Sequence, residues 1–209
     1  MTKPNLILIG AGGHAHACID VIEQHGGYKI AGLVGSPEEL HSQHLGYHVI
    51  GTDGDLAQLA QQYQYALVTV GQIQSPAIRM RLHQKATELC FQFPTIIAPS
   101  AHVSNHATVG AGSIVMHAVI VNAGAKIGEN CIINTRALIE HDVSVADHCH
   151  ISTGAIVNGN ASIGPGSFVG SGSVLKQGIT LGSACVVGMG LSVRHHHADH
   201  SRILANDHS

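Results

Sequence analysis

The chain has few aromatic and few charged side chains. Its 209 residues include no tryptophan, and aromatic residues make up 3% and charged residues 11% of the sequence. Aromatic side chains usually supply much of the buried area of a globular core. Here Ala, Val, Ile and Gly must supply it instead, which indicates a narrow and repetitive core.

Long apolar runs and clusters of positive charge are missing as well. No segment approaches the roughly 20 apolar residues that a membrane-spanning helix needs. The formal net charge is -3, and no dense group of lysines and arginines stands out. The sequence therefore predicts no membrane and no nucleic-acid partner. The first residues lack the layout of a secretory signal peptide, so a cytoplasmic location is the expectation.

Cysteines are scattered, and none of them forms a Cys-x-x-Cys pair. They stand at Cys18, Cys90, Cys131, Cys149 and Cys185. Their odd number and wide spacing predict small buried residues in a reducing compartment rather than disulfides or a zinc site. No metal is predicted, and the consecutive histidines 195–197 are expected to lie in a mobile tail, because three adjacent residues rarely converge on one ion.

What the sequence has in abundance is a six-residue repeat. An aliphatic residue occupies every sixth position from Ile97 to Val193 without a break, which makes 17 hexads. A period of six matches neither an α-helix nor a simple two-faced strand. It matches coils of three short strands, each pointing one branched side chain inward, and an ordinary β-sandwich would not keep this phase.

A second pattern accompanies the aliphatic series. Two positions before each aliphatic residue the side chain is usually small, and a glycine often follows the aliphatic residue directly. These glycines are Gly110, Gly128, Gly164, Gly170, Gly182 and Gly188. We interpret them as tight corners that need a positive φ.

Residues 1–94 have a different sequence pattern, which predicts that strands and helices alternate. We predict strands at 5–9, 29–34 and 66–70 and helices at 15–24, 55–63 and 75–90. This order is typical of a small parallel α/β sheet of Rossmann-like type. The predicted domains are therefore an α/β domain at 1–94, a β-helix at 95–194 and a C-terminal tail at 195–209.

A glycine-rich turn joins the first strand to the first helix, with Gly10, Gly12 and Gly13 followed by His14. Backbone N–H groups at the start of such a helix can hold a phosphate or pyrophosphate. An NAD site is disfavoured, because the second strand ends at Val34-Gly35-Ser36 with no acidic residue for the ribose. A tight turn without a ligand is the alternative.

An α/β domain followed by a hexapeptide β-helix resembles a family of bacterial sugar acyltransferases. The family includes nucleotide-amino-sugar N-acetyltransferases, on the bacillosamine pathway or acting on GDP-perosamine, and sialic acid O-acetyltransferases. The strand and Gly-rich turn at Ile9–His14 match its opening motif. Asn134-Thr135-x5-His141-Asp142 matches its catalytic motif. The resemblance implies a left-handed β-helix, a homotrimer and acetyl-CoA bound between neighbouring β-helices.

The resemblance also implies roles for particular residues. His141 would be the general base and Asp142 would orient it, since an imidazole titrates near neutral pH. The Gly-rich turn and His14 would bind the nucleotide sugar. Acetyl-CoA would contact Asn134, His150, Gly159, Gly170 and Gly188. A solvated corner histidine is the alternative for His150, and coil geometry alone is the alternative for these glycines.

The predicted function is that of an acetyl-CoA-dependent N-acetyltransferase acting on a nucleotide-linked 4-amino-6-deoxysugar for surface polysaccharide synthesis. UDP, GDP and dTDP all stay open, because the Asp pair that UDP-sugar members often carry after the second strand is missing. The ending after Val193 also departs from relatives that finish with a Gly-x-Pro-Ala-like segment. The alternatives are a sialic acid O-acetyltransferase and a non-catalytic, nucleotide-binding trimeric β-helix. A carbonic-anhydrase-like β-helix is disfavoured, because it needs three metal histidines and lacks an N-terminal domain of this kind.

Overall fold

The computed structural model describes residues 2–205. The chain forms two compact units that divide between Ile96 and Ile97. The short segment Gln72–Pro76 belongs to the second unit rather than the first. Met1 and residues 206–209, which end the predicted tail, lie outside the described residues.

The first unit is an α/β domain built on a five-stranded sheet in the order β3-β4-β2-β1-β5. All neighbouring pairs are parallel except β3 with β4. Its strands are β1 (Asn5–Ile9), β2 (Lys29–Gly35), β3 (Gln43–His44), β4 (Tyr47–Thr52) and β5 (Tyr65–Val68). Its helices are α1 (Gly13–His25), α2 (Leu56–Leu59) and α3 (Ala77–Glu88), with a 3-10 turn at Pro37–Glu39. The predicted α/β class is confirmed, because every apolar residue of β1 is fully buried between layers.

Two local predictions for this unit were wrong. The hairpin formed by β3 and β4 was not predicted, because its edge strand carries few apolar residues; Leu45 and Gly46 make its turn with positive φ. The helix from Asp55 is also shorter than predicted and ends at Leu59. The Asp55 carboxylate accepts hydrogen bonds from the backbone N–H and hydroxyl of Thr52 instead of capping the helix.

The second unit is a left-handed parallel β-helix of two-residue strands. Three sheets make its faces, and equivalent strands are 18 residues apart along most of the helix. One face contains His102–Val103, Ile120–Val121, Leu138–Ile139, Ile156–Val157, Val174–Leu175 and Ser192–Val193. The second contains Thr108–Val109, Lys126–Ile127, Ser144–Val145, Ser162–Ile163 and Thr180–Leu181. The third contains Ile96–Ile97, Ile114–Val115, Ile132–Ile133, His150–Ile151, Phe168–Val169, Val186–Val187 and Arg202–Ile203.

The predicted hexad phase is confirmed by these strands. The second residue of every strand from Ile97 to Val193 is a member of the aliphatic series, and most of these side chains are fully buried. The small residues two positions earlier also face the interior. Each coil covers the apolar ends of its neighbours, so the core is a stack of aliphatic layers.

The explanation of the corner glycines was wrong. Positive φ occurs three residues after the aliphatic position, at glycines such as Gly124 and also at Arg136 and Asp142. The glycines directly after the aliphatic residue have another cause, which is the close approach of the next coil. A Cβ atom on Gly110 would lie 2.6 Å from the carbonyl carbon of Gly128, so no larger residue fits without moving the backbone.

A column of serine and cysteine side chains, which we call the inner ladder, runs through the β-helix. Its members are Ser113, Cys131, Cys149, Ser167 and Cys185, all completely buried. Each hydroxyl or thiol donates a hydrogen bond to a backbone carbonyl of the next coil. The predicted burial of the cysteines is correct for all but Cys90, which is exposed.

The ladder of strands continues beyond the predicted end at residue 194. Val187 pairs with Ile203, and Leu181 bridges to His197. These partners are 16 residues apart rather than 18, so this coil is two residues short and the aliphatic phase is lost. Histidines 195–197 therefore lie within a paired segment, where His196 Nδ1 accepts a hydrogen bond from the backbone N–H of Thr180.

Candidate active site

The paired side chains of His141 and Asp142 stand at a corner of the β-helix, two and three residues after the buried Ile139. The Nδ1 atom of His141 lies 2.9 Å from Oδ2 of Asp142. Both side chains are exposed over 59–60% of their surface, as a group that reacts with a bound substrate must be. Asp142 adopts φ of 59°, and this left-handed conformation turns its carboxylate back towards the ring.

The contact with Asp142 determines which nitrogen of the His141 imidazole can accept a proton. A carboxylate can only accept a hydrogen bond, so Nδ1 of His141 carries the proton. The other nitrogen, Nε2, then holds a lone pair and can accept a proton from a substrate. This arrangement is the one that a histidine general base needs.

Two glycines make room for this pair. A Cβ atom on Gly159 would lie 2.5 Å from Nε2 of His141, so the ring rests against a bare backbone. A Cβ atom on Gly124 would collide with the carboxylate of Asp142. Gly159 was predicted to contact acetyl-CoA; the structure gives it a second reason to be glycine, since it accommodates the imidazole.

Behind the pair lies a contact that sequence reasoning missed. Oε2 of Glu140 accepts hydrogen bonds from Nδ2 of Asn122, at 3.0 Å, and from the backbone N–H of His141, at 3.2 Å. Asn122 and Glu140 are one 18-residue coil apart and are therefore stacked neighbours. That spacing is the signal by which the contact could have been found.

His150 is not the solvated corner residue that one reading allowed, because only 6% of its surface is exposed. Its Nδ1 donates a hydrogen bond of 2.6 Å to the backbone carbonyl of Gln72. Its Nε2 accepts one of 3.2 Å from Nδ2 of Asn134, whose Oδ1 accepts from the N–H of Thr135. The predicted cofactor residues Asn134 and His150 are thus in direct contact.

Gln72 was not singled out by the sequence. The residue is 97% buried, and its Nε2 donates a hydrogen bond of 3.1 Å to the carbonyl of Gly166. Its Oε1 is buried and accepts no hydrogen bond from the described residues. Together with His150, Gln72 anchors the segment Gln72–Pro76 to the β-helix.

The remaining two predicted cofactor glycines differ in what the fold requires of them. A Cβ atom on Gly170 would lie 2.5 Å from the carbonyl carbon of Gly188, so stacking of coils explains this glycine. A Cβ atom on Gly188 would meet its nearest atom, Cδ1 of Leu191, at an ordinary 3.4 Å. Packing therefore does not demand glycine at position 188.

In the first unit, the Gly-rich loop (residues 10–14) joins β1 to α1. Gly10 has φ of 126°, and a Cβ atom there would lie 2.7 Å from Cγ2 of Val70, so its backbone and its packing both require glycine. Gly12 and Gly13 face open space. Helix α1 begins at Gly13, and no side chain caps its N-terminus.

His14 is held by a contact within α1. Its Nε2 lies 3.4 Å from Sγ of Cys18, one helical turn further on. Burial raises the pKa of Cys18 to about 12, and the nearby Arg79 guanidinium only partly opposes this. The thiol therefore stays protonated at neutral pH and can donate its S–H to His14.

The chain resembles known proteins over nearly its whole length. Residues 5–86 match the model of the PglD N-terminal domain, and residues 160–194 match that of the hexapeptide repeat of succinyl-transferase. A histidine-to-asparagine variant of perosamine N-acetyltransferase from Caulobacter crescentus, in complex with CoA and GDP-perosamine, is 30% identical; the match covers 98% of this chain and 95% of that one, with a TM-score of 0.91. The chain belongs to the hexapeptide-repeat sugar acyltransferases.

A second solved member of this sugar acyltransferase family is the acetyltransferase domain of PglB from Neisseria gonorrhoeae, in complex with acetyl coenzyme A. It is 32% identical over 98% of both chains, with a TM-score of 0.89. WeeI from Acinetobacter baumannii, 18% identical over 97% of this chain and 98% of that one with a TM-score of 0.84, supports the fold alone. No curated protein sequence gives a significant match. The predicted family and enzyme class are confirmed by these relatives.

Within residues 2–205, no three His, Cys, Asp or Glu side chains come together as a group that could hold a metal ion. In the same part of the chain, no helix has the length and apolar character needed to span a membrane.

Proposed function

We propose that this protein transfers an acetyl group from acetyl-CoA to the amine of a nucleotide-linked 4-amino-6-deoxysugar, with His141 as the general base. The observation that carries the proposal is the geometry of His141 and Asp142. The imidazole is exposed over 59% of its side chain, and its Nδ1 lies 2.9 Å from the Asp142 carboxylate. Transfer to an amine needs such a group.

The amine attacks the carbonyl carbon of the thioester and loses a proton to Nε2 of His141 as the C–N bond forms. The C–S bond then breaks, and CoA leaves as a thiolate that takes up a proton. Asp142 keeps Nδ1 protonated and stabilises the imidazolium that forms. A backbone N–H at a coil corner would stabilise the oxyanion, and holding both substrates together would supply much of the rate.

Direct transfer is preferred over an acyl-cysteine intermediate. Cys131 and Cys149 are fully buried on the inner ladder, where no thioester can reach them. The hydrogen bond that the Cys149 thiol shares with Cys131, together with burial, raises the pKa of Cys149 well above its ordinary value, so no reactive thiolate forms there.

Acetyl-CoA is the proposed co-substrate, since relatives over 98% of this chain hold CoA or acetyl-CoA. We assign its acyl end to the region of His150 and Asn134 and regard Gly188 as a backbone contact. The Gly-rich loop would bind the pyrophosphate of the nucleotide sugar with Gly12, Gly13 and His14. A homotrimer, with CoA between neighbouring β-helices, is part of the same proposal.

The test is an acceptor panel. Purified protein is incubated with acetyl-CoA and UDP-, GDP- or dTDP-linked 4-amino-6-deoxysugars, or with free sialic acid, while CoA thiol is followed. We expect release with one amino sugar, and release about a hundredfold or more slower with the His141→Asn variant. Release only with sialic acid would assign an O-acetyltransferase instead. Release with no acceptor would contradict the proposal and favour a binding protein.

A further inference from the structure

The carboxyl end of β2 lies beside the Gly-rich loop. Strands β1 and β2 are neighbours in the sheet, and the N–H of Gly10 donates a 2.8 Å hydrogen bond to the carbonyl of Val34. In open parallel sheets, ligands bind at the carboxyl ends of the strands. Whatever side chain stands at the end of β2 therefore borders a ligand whose phosphates sit on the loop.

No acidic residue directly follows Val34 in the sequence, but the fold brings Glu39 back to the end of β2. Residues Pro37–Glu39 turn back as a 3-10 helix, and Oε2 of Glu39 accepts a 2.9 Å hydrogen bond from the N–H of Ser36. A Cβ atom on Gly35 would lie 2.9 Å from the same oxygen. Glycine at position 35 thus leaves the space that the Glu39 carboxylate occupies.

The two carboxylate oxygens of Glu39 differ in their hydrogen bonding. Its Oε2 closes a capping box with Ser36, while its Oε1 accepts no hydrogen bond from the part of the chain that the structure describes. A capping role alone would be served equally well by glutamine, which is accepted at that position of the box. Only a second partner would distinguish a carboxylate from an amide here.

We propose that Glu39 binds the ribose hydroxyls of the nucleotide and thereby selects ribonucleotide-linked sugars. The inference rests on the proposed function, since it assumes that a nucleotide occupies the Gly-rich loop. An ionised carboxylate only accepts hydrogen bonds, and the 2′- and 3′-hydroxyls of a ribose offer two donors. The carboxylate thus takes over the task of the acid that a dinucleotide-binding fold carries at the end of its second strand.

A contact between Glu39 and the ribose would restrict which nucleotide-linked sugars the protein accepts. A 2′-deoxyribose lacks one of the two donors and would leave the charged acceptor incompletely paired. Hydrogen bonds to charged groups are strong enough that one such loss weakens binding about tenfold or more. UDP- or GDP-linked sugars are therefore expected as substrates, and dTDP-linked sugars are not.

The test compares UDP with 2′-deoxy-UDP, and GDP with 2′-deoxy-GDP, by titration calorimetry on the full-length protein. Each pair differs by the 2′-hydroxyl alone. The wild type should bind the ribo form of its preferred nucleotide at least about tenfold tighter than the deoxy form. In Glu39→Gln, which keeps the bond to Ser36, that ratio should fall to about two or less. Glu38→Gln, at the exposed neighbouring position, should keep the full ratio.

The outcomes separate this inference from the proposed function. Tight nucleotide binding with no ribose preference, or a preference that survives Glu39→Gln, would overturn the role of Glu39 and leave acetyl transfer intact. A ratio that falls equally in Glu38→Gln would show a general effect of the 3-10 turn and would also overturn it. No binding of any nucleotide would overturn both.

Discussion

The His141 imidazole lies between a carboxylate and a glycine, and each neighbour has a separate task. Asp142 fixes which nitrogen carries the proton, and Gly159 leaves space for the ring. Neither task could be recognised from residue type alone. The motif at 134–142 predicts the pair, whereas the coil geometry explains why the ring can lie where it does.

Replacing Asp142 by Asn should lower kcat about tenfold to a hundredfold with little change in the KM for acetyl-CoA. The amide can still contact Nδ1, but it no longer stabilises the imidazolium. Asparagine tolerates the φ of 59° at this corner, so the fold should be kept. Ala118→Asn, at an exposed corner with φ of 54°, is the matched control and should keep the wild-type kcat. A kcat for Asp142→Asn equal to that of the control would remove Asp142 from the mechanism.

Replacing Gly159 by Ala should displace the ring of His141, because the new methyl group would lie 2.5 Å from Nε2. A displacement of this size lowers kcat about tenfold to a hundredfold while leaving the thermal unfolding midpoint nearly unchanged. Gly54→Ala, where the methyl group meets its nearest atom at 3.5 Å, serves as the control. If Gly159→Ala instead raised the KM for acetyl-CoA alone, the glycine would be a cofactor contact.

At the scale of the element, the inner ladder shows how the β-helix accommodates polar atoms in its core. Every buried hydroxyl or thiol of the ladder donates to a carbonyl of the next coil, so no member is left without a partner. Both serine and cysteine occupy ladder positions, and the backbone pairing is the same at each. Size rather than chemistry is therefore expected to limit which residues fit.

Cys149→Leu should destabilise the protein by about 1–3 kcal/mol, because the coil spacing leaves no room for a branched side chain. Cys149→Ser should cost less than about 1.5 kcal/mol, since a hydroxyl can make the same bond to Gly164. Urea unfolding of both variants measures the difference. Equal losses would show that the thiol chemistry, and not the volume, determines this position.

The elements also show how far the sequence could predict the fold. Sixteen steps of six residues separate Ile97 from Val193, and such a covalent period predicts a β-helix without any tertiary information. The β3–β4 hairpin, the return of Glu39 and the shortened last coil have no period. The shortened last coil depends on the pairing of Ile203 with Val187, which a local pattern does not encode.

At the scale of the whole molecule, the buried and exposed thiols predict a simple reactivity pattern. Cys18, Cys131, Cys149 and Cys185 are buried, and the pKa of Cys18 is raised to about 12, so they remain unreactive thiols at pH 8. Cys90 is exposed. A thiol-specific disulfide reagent should therefore modify one cysteine per native chain and none in Cys90→Ser. Rapid modification of a second thiol would contradict the described core.

The candidate site was only partly predictable. His141, Asp142, Asn134 and the Gly-rich loop follow from motifs, whose spacing the chain keeps. Gln72 does not, because its partner His150 lies 78 residues away in the sequence. Glu39 is only three residues from Ser36, but its place depends on the 3-10 turn at Pro37–Glu39, which the sequence analysis did not predict. Their identification needed the contacts of Gln72 with His150 and of Glu39 with Ser36.

The proposed reaction of the whole molecule is acetyl transfer to the amine of a nucleotide-linked sugar, with His141 as the general base. The most direct measurement is mass spectrometry of the product after incubation with acetyl-CoA and the accepted amino sugar, before and after hydroxylamine treatment. We expect one added acetyl group that resists hydroxylamine, as an amide does, and a rate about a hundredfold to ten-thousandfold lower in His141→Asn. An acetyl group removed by hydroxylamine, or an undiminished rate in His141→Asn, would contradict the proposed reaction.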